Sequence, residues 1–272
     1  MIPKVIHYCW FGGNPLPEAA KKCIASWKKF CPDYEIVQWD ESNYDVTKNQ
    51  YMYQAYQAGK WAFVSDYARL DIIYEHGGIY FDTDVEVIKN MDSFLEDPMF
   101  CGWESNVENQ AGNKVAFGLG FGAEQYNLVL KKTLDVYENL TFLQEDGTYN
   151  LVPCPYYQTL ALLQLGLDDS QMTLQKLKDA TVYPCEYFSP KNYYTGQIHI
   201  TENTHTIHHY SALWLSEKQR KAVSIRRIIR SKMGNQFAEK FCNNNMYYFF
   251  EHWYADGILD VICRVKNKLM RK

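Results

Sequence analysis

The 272-residue sequence has no run of ~18 consecutive apolar residues, so no segment reads as a membrane span. It opens "MIPKVIHYCWFGG", a strand entering a glycine turn, rather than the basic-then-apolar pattern of a secretion leader. Its eight cysteines are scattered and include no C-x-x-C pair, so reduced thiols buried as small hydrophobes are expected. Internal repeats, low-complexity tracts and RNA- or DNA-binding motifs are missing, and nucleic acid is disfavoured as a partner. Together these absences lead us to expect a cytoplasmic protein.

What is present is a globular composition, 47% hydrophobic and 22% charged, enough for one large domain with or without an appendage. Aromatics reach 16%, with 22 tyrosines, side chains that suit sugar or nucleotide surfaces. The net charge of −4 hides an asymmetry. Residues 1–216 carry 15 Lys/Arg against 27 Asp/Glu, whereas residues 217–272 carry 13 against 5. That break predicts a domain at 1–216 and a basic extension at 217–272.

Strand and helix patterns alternate along the first third. "KVIHYCWF" (4–11) and "YEIVQWD" (34–40) read as strands, with a helix at 16–31 between them. "KWAFVSDYARLDIIYEH" (60–76) reads as a helix stopped by Gly77-Gly78, and "GIYFDTDVEV" as the next strand. The alternation predicts an α/β fold with a mostly parallel sheet. Further on, 99–105, the glycine-rich 115–123, "ATVYPCEYFSP" and 204–215 read as strands, and 125–140 and 156–166 as helices.

The stretch "HGGIYFDTDVEV" carries the chemistry. If it is one strand, Asp82 and Asp84 share a face, and two adjacent carboxylates call for a cation between them. Hard divalent ions take oxygen ligands, and Mg²⁺ or Mn²⁺ is commonly held by one or two carboxylates together with substrate phosphates. Haloacid-dehalogenase phosphotransferases also place D-x-D after an apolar strand. They need Thr or Val two residues beyond the second Asp, where this chain has Glu86, and their motif opens the domain. A non-catalytic carbohydrate-binding module is the alternative from another class.

Four blocks, "IPKVIHYCWFGG", "SWKKFCPDYEIVQWDE", "KWAFVSDYARLDIIYEHGGIYFDTDVEV" and "TIHHYSALWL", occur in the order seen in glycosyltransferase family 32. The chain thereby resembles the DXD-containing sugar transferases of capsule and lipopolysaccharide loci, and distantly the clostridial glucosylating toxins. The resemblance covers roughly residues 2–216. It implies a glycosyltransferase A fold, a nucleoside-diphosphate sugar donor (UDP-galactose or another UDP-hexose), a saccharide acceptor and transfer with retention. By the same resemblance, Asp82 and Asp84 hold Mn²⁺ or Mg²⁺ and the donor diphosphate, with Thr83 between them at the donor. Asp66 and Arg69 match an "SDxxR" helix whose side chains meet the donor sugar. Ile6, His7, Tyr8 and Trp10 match the block lining the nucleoside pocket, and His208 a third metal ligand or diphosphate contact. Trp214 matches a residue whose indole N–H reaches the β-phosphate, although Leu213 stands where the family has Ser. Retention without a nucleophile implies a front-face mechanism, in which the leaving phosphate takes the acceptor proton.

The basic extension interleaves Arg and Lys with Ile225, Ile228 and Ile229 at helical spacing. It reads either as an interfacial membrane helix, seating the enzyme beside a lipid-linked acceptor, or as a helical cap on the catalytic domain.

Overall fold

A computed structural model of the chain describes residues 1–104, 113–193, 195–212, 220–221, 223–225 and 227–228. The described residues fall into two compact units. Residues Met1–Lys191 and His199–His209 form the first, and those of 192–198 and from 210 onward belong to the second. The first unit carries β1 (Val5–Cys9), α1 (Glu18–Phe30), β2 (Glu35–Trp39), α2 (Gln50–Gln57), α3 (Trp61–His76), β3 (Gly78–Tyr80), β4 (Val85–Val87), β5 (Met99–Gly102), β6 (Phe121–Ala123), α4 (Leu128–Glu138), α5 (Cys154–Leu163), β7 (Gln175–Lys176), β8 (Thr181–Tyr183), α6 (Cys185–Phe188) and β9 (Thr206–His208). This is an α/β fold with a central sheet and flanking helices.

Each helix follows from its local sequence. In α1, Ala20, Cys23 and Trp27 recur at three- and four-residue spacing and are buried, while Glu18 in the first turn and Lys28 and Lys29 in the last suit the helix dipole. The side chain of Asn49 caps α2 by accepting from the Met52 N–H, and that of Asn127 caps α4 by accepting from Val129. Helix α3 is different. Its buried residues run from Val64 and Asp66 through Ile73 on every side, because it packs on β1 and β3 as well as on α2 and α4. It ends at Gly77, with φ 66°, where a side chain would be strained. Gly78 follows at φ 102°, and a Cβ there would lie 2.8 Å from the Val5 carbonyl oxygen. The glycine pair lets β3 enter flush beside β1.

Seven strands form the sheet in the order β2-β1-β3-β6-β5-β8-β7. The expected mostly parallel sheet is not found. Strand β1 runs parallel to β2 and β3, and β5 parallel to β8, but β6 is antiparallel to both β3 and β5, and β7 to β8. The reversal arises because the chain leaves the sheet after β3, forms the separate β4–β9 ribbon, and re-enters through β5 before turning back as β6.

Two segments read as strands fold otherwise. After Val182, "PCEYF" turns into α6 with Pro184 at its N-cap, a position where the fixed φ of proline is well tolerated. In 115–123, Val115 makes an isolated antiparallel bridge to Trp103, Phe117–Leu119 form a 3₁₀ turn, and Phe121–Ala123 form the strand. Most of the basic extension lies outside the described residues, so its amphipathic pattern has no structural counterpart here. No helix among the described residues is long and apolar enough to cross a membrane.

Candidate active site

The two aspartates meet, but not as strand neighbours. Strand β3 ends at Tyr80, residues 81–84 leave the sheet, and β4 begins at Val85 in the second ribbon. Tyr80 and Phe81 are both buried, and the pleat of one continuous strand stops there. A turn replaces it, closed by the Val85 N–H donating to the Asp82 carbonyl at 3.0 Å. The chain changes sheets within this turn, and its two carboxylates face different partners.

Asp82 faces α3. Arg69 extends from that helix with its side chain 5% exposed, and every part of the guanidinium is engaged. Nη2 donates to Asp66 Oδ1 at 2.5 Å, Nη1 reaches Asp82 Oδ2 at 3.4 Å, and Nε donates to the Ser65 carbonyl at 3.0 Å. The cation also lies over the Tyr80 ring, 5.3 Å from its centroid. The i, i+3 spacing of Asp66 and Arg69 puts them on one helix face, and the burial of α3 makes the pair an interior one. Burial raises the Asp66 carboxyl, opposed by Arg69 and by a hydrogen bond from the Cys154 thiol. Burial also raises Asp82, with Arg69 opposing and Asp84 adding to the rise.

Asp84 faces the returning strand. Register Val85↔His208 in the antiparallel β4–β9 pair sets His208 beside Asp84, Nε2 to Oδ1 3.2 Å. Burial works against a charged His208, but Asp84, Asp82 and Glu104 outweigh it and raise the imidazole above its ordinary range. His209 is directed elsewhere, pairing Nε2 with Glu86 Oε2 at 2.8 Å. One ligand atom each from Asp82, Asp84 and His208 lies within 4.8 Å of the other two. Two carboxylates and an imidazole fit a hard to borderline divalent cation, and the nitrogen suits Mn²⁺ better than Mg²⁺.

The first-strand block is placed mostly inside. Ile6 is fully buried, and the backbone of β1 is engaged on both sides, by β2 and β3, with the His7 carbonyl accepting from Phe81 at 3.1 Å. Tyr8 packs edge-on against Trp27, and its hydroxyl donates to Gln38 Oε1. His7 is buried beside Trp39, which donates to its Nδ1 at 3.0 Å, and beside His76. Trp10 is half-buried, its Nε1–H held by the Asn14 carbonyl, and so keeps an open part for a ligand. Thr83 is buried in the turn. Trp214 lies outside the described residues.

Three residues here were not foreseen. Cys154, the first residue of α5, acts on the Asp66 carboxyl and lowers it, and no sequence signal marks an isolated cysteine for that place. Glu104 follows β5, and its charge acts on His208. Trp61 opens α3 and lies against Gly12, where a Cβ would come within 2.6 Å of the indole ring.

Residues 17–101, which include Asp66, Arg69, Asp82 and Asp84, match the family described as "Glycosyltransferase sugar-binding region containing DXD motif". The chain is 36% identical over 105 residues to inositol phosphoceramide mannosyltransferase 3 of Schizosaccharomyces pombe, a stretch covering 36% of this chain and 28% of that protein. It is 31% identical over 103 residues to an uncharacterised glycosyltransferase of Acanthamoeba polyphaga mimivirus, covering 35% of this chain and 40% of the relative. It thus spans well under half the length of these curated relatives. Among solved structures, the PaToxG glycosyltransferase superposes with a TM-score of 0.46 at 22% identity, over 60% of this chain and 68% of that one.

Proposed function

We propose that the protein transfers a hexose from a nucleoside-diphosphate sugar to a saccharide acceptor, using a divalent cation held by Asp82, Asp84 and His208. The observation carrying this reading is the meeting of those three side chains at a turn whose inner aspartate is tied to the Asp66–Arg69 pair. A D-x-D turn alone would be weak. A D-x-D turn completed by a histidine from a ribbon partner, inside a matched sugar-transferase segment, is not.

When bound, the cation acts as a Lewis acid on the donor diphosphate and neutralises charge as the nucleoside diphosphate departs. The chain's own residues do the rest. Arg69 pairs with the Asp82 carboxylate through Oδ2 and so holds it at the site. Asp66, held by Arg69 and Cys154, is placed to accept from a sugar hydroxyl, and Trp10 offers a partly open indole for the nucleoside base. His208 would ligate as the neutral imidazole and would give up its proton to do so. The mannosyltransferase names among the relatives bring GDP-mannose into contention beside the UDP-hexoses. The reaction is read as retaining, with the departing phosphate taking the acceptor proton. A lipid-linked acceptor fits a basic extension at the membrane surface.

The test is calorimetry of UDP and GDP with and without Mn²⁺, followed by a hydrolysis screen of their sugars. Nucleotide binding that requires Mn²⁺, with slow hydrolysis of one donor, supports the transferase. Sugar binding indifferent to metal and nucleotide would instead indicate a carbohydrate-binding module.

A further inference from the structure

The glycine-rich 3₁₀ turn Phe117–Leu119 carries a residue that sequence and mechanism leave unused. A Cβ built on Gly118 would lie 2.5 Å from Asp82 Oδ2 and 2.8 Å from Arg69 Nη1, inside the van der Waals limit for both. It would sit between the guanidinium and the carboxylate of one ion pair.

The turn cannot step back. The Phe117 N–H donates to Oε1 of Gln158, a fully buried side chain of α5, and the Val115 N–H to Thr159 Oγ1 on the same helix. Phe117 and Leu119 are themselves buried, and the Phe117 ring stacks on Phe121 at 4.9 Å. Nor can Arg69 yield, since Asp66, the Ser65 carbonyl and the Tyr80 ring hold it. The Asp82 side chain, 27% exposed against 5% for Arg69, is the member of the pair that a methyl group would displace.

The geometry points to Gly118 as a positioning residue, whose bare Cα fixes the Asp82 carboxylate against Arg69 and in register with Asp84 and His208. This rests on the reading of those three side chains as cation ligands. The backbone of Gly118 lies outside the region reserved to glycine, so alanine adds only a methyl group, without backbone strain.

The experiment is Gly118→Ala in the full chain, read by Mn²⁺ affinity from calorimetry and by metal-free thermal melting. We expect Mn²⁺ affinity to fall about 10–100-fold, the range seen when support for a ligand is lost. A Gly118→Ala protein that folds and binds Mn²⁺ as tightly as wild type overturns the inference. Failure of wild type itself to bind Mn²⁺ overturns the metal reading and the inference with it, and is distinguished by the parent protein alone. If Gly118→Ala melts early, Asp82→Ala is added. Because the methyl group then has room, the double variant should melt higher than Gly118→Ala. A double variant that melts as low shows that the glycine serves only its own backbone.

Discussion

The inner and outer halves of the acidic site solve the problem of adjacent carboxylates differently. In the inner half, Asp66 and Asp82 share Arg69, a cation that does not titrate. In the outer half, Asp84 faces His208, an imidazole that burial opposes as a cation but that its acidic neighbours raise above its ordinary range. The inner balance is permanent, whereas the outer one rests on a group that can lose its proton and, on the proposed reading, would exchange it for a metal ion. The contrast teaches that the D-x-D turn is two things at once: Asp82 is anchored by the fold, and Asp84 with His208 forms the exchangeable part.

The sharpest way to break the comparison is Arg69→Ala. It leaves two interior carboxylates without their cation and should cost about 3–5 kcal/mol of folding stability, measured by denaturant unfolding. A loss below about 1 kcal/mol would mean that the inner half behaves as an exposed pair. Next, Asp84→Asn keeps size and removes charge. It should lower metal-dependent donor hydrolysis at least about a hundredfold, since Lewis-acid assistance contributes several kcal/mol, while the melting temperature stays near wild type. Activity close to wild type would remove the outer half from the chemistry.

The smallest effect is a slope. The folded His208 value is raised, so in the metal-free protein its pairing with Asp84 stabilises fully below about pH 6.5 and is lost as pH rises through the folded value. Metal binding runs the other way, because the proton must leave. Below the folded value, Mn²⁺ affinity should fall about tenfold per pH unit, and His208→Gln should flatten that dependence. A slope unchanged in His208→Gln would assign the proton to another group.

Much of the inner half was legible in the sequence. Local signals carried it: the i, i+3 spacing of Asp66 and Arg69, the apolar residues around them, and the glycine pair ending α3. The α/β layout was legible for the same reason, since periodicity and turn residues report local geometry. The sheet direction was not, because β6 pairs with β3 and β5 through contacts that no local pattern encodes. The shared face proposed for Asp82 and Asp84 failed on one point. Phe81 is buried directly after Tyr80, and a turn rather than a pleat joins the carboxylates. Cys154, Glu104 and Gly118 stayed invisible because each reaches the site only through tertiary packing.

The β4–β9 ribbon has a consequence for chain entropy. It joins segments far apart in sequence: His209 and Glu86, paired across it, are 123 positions apart. Closing so long a loop is costly, but the cost grows only slowly with length and is met once, when the chain folds. Because the ladder pairs His208 with Val85 and so holds it beside Asp84, an ion on the proposed site would not have to gather its ligands from a wandering chain. Its binding free energy goes into the contacts themselves, as it does for any receptor ordered in advance.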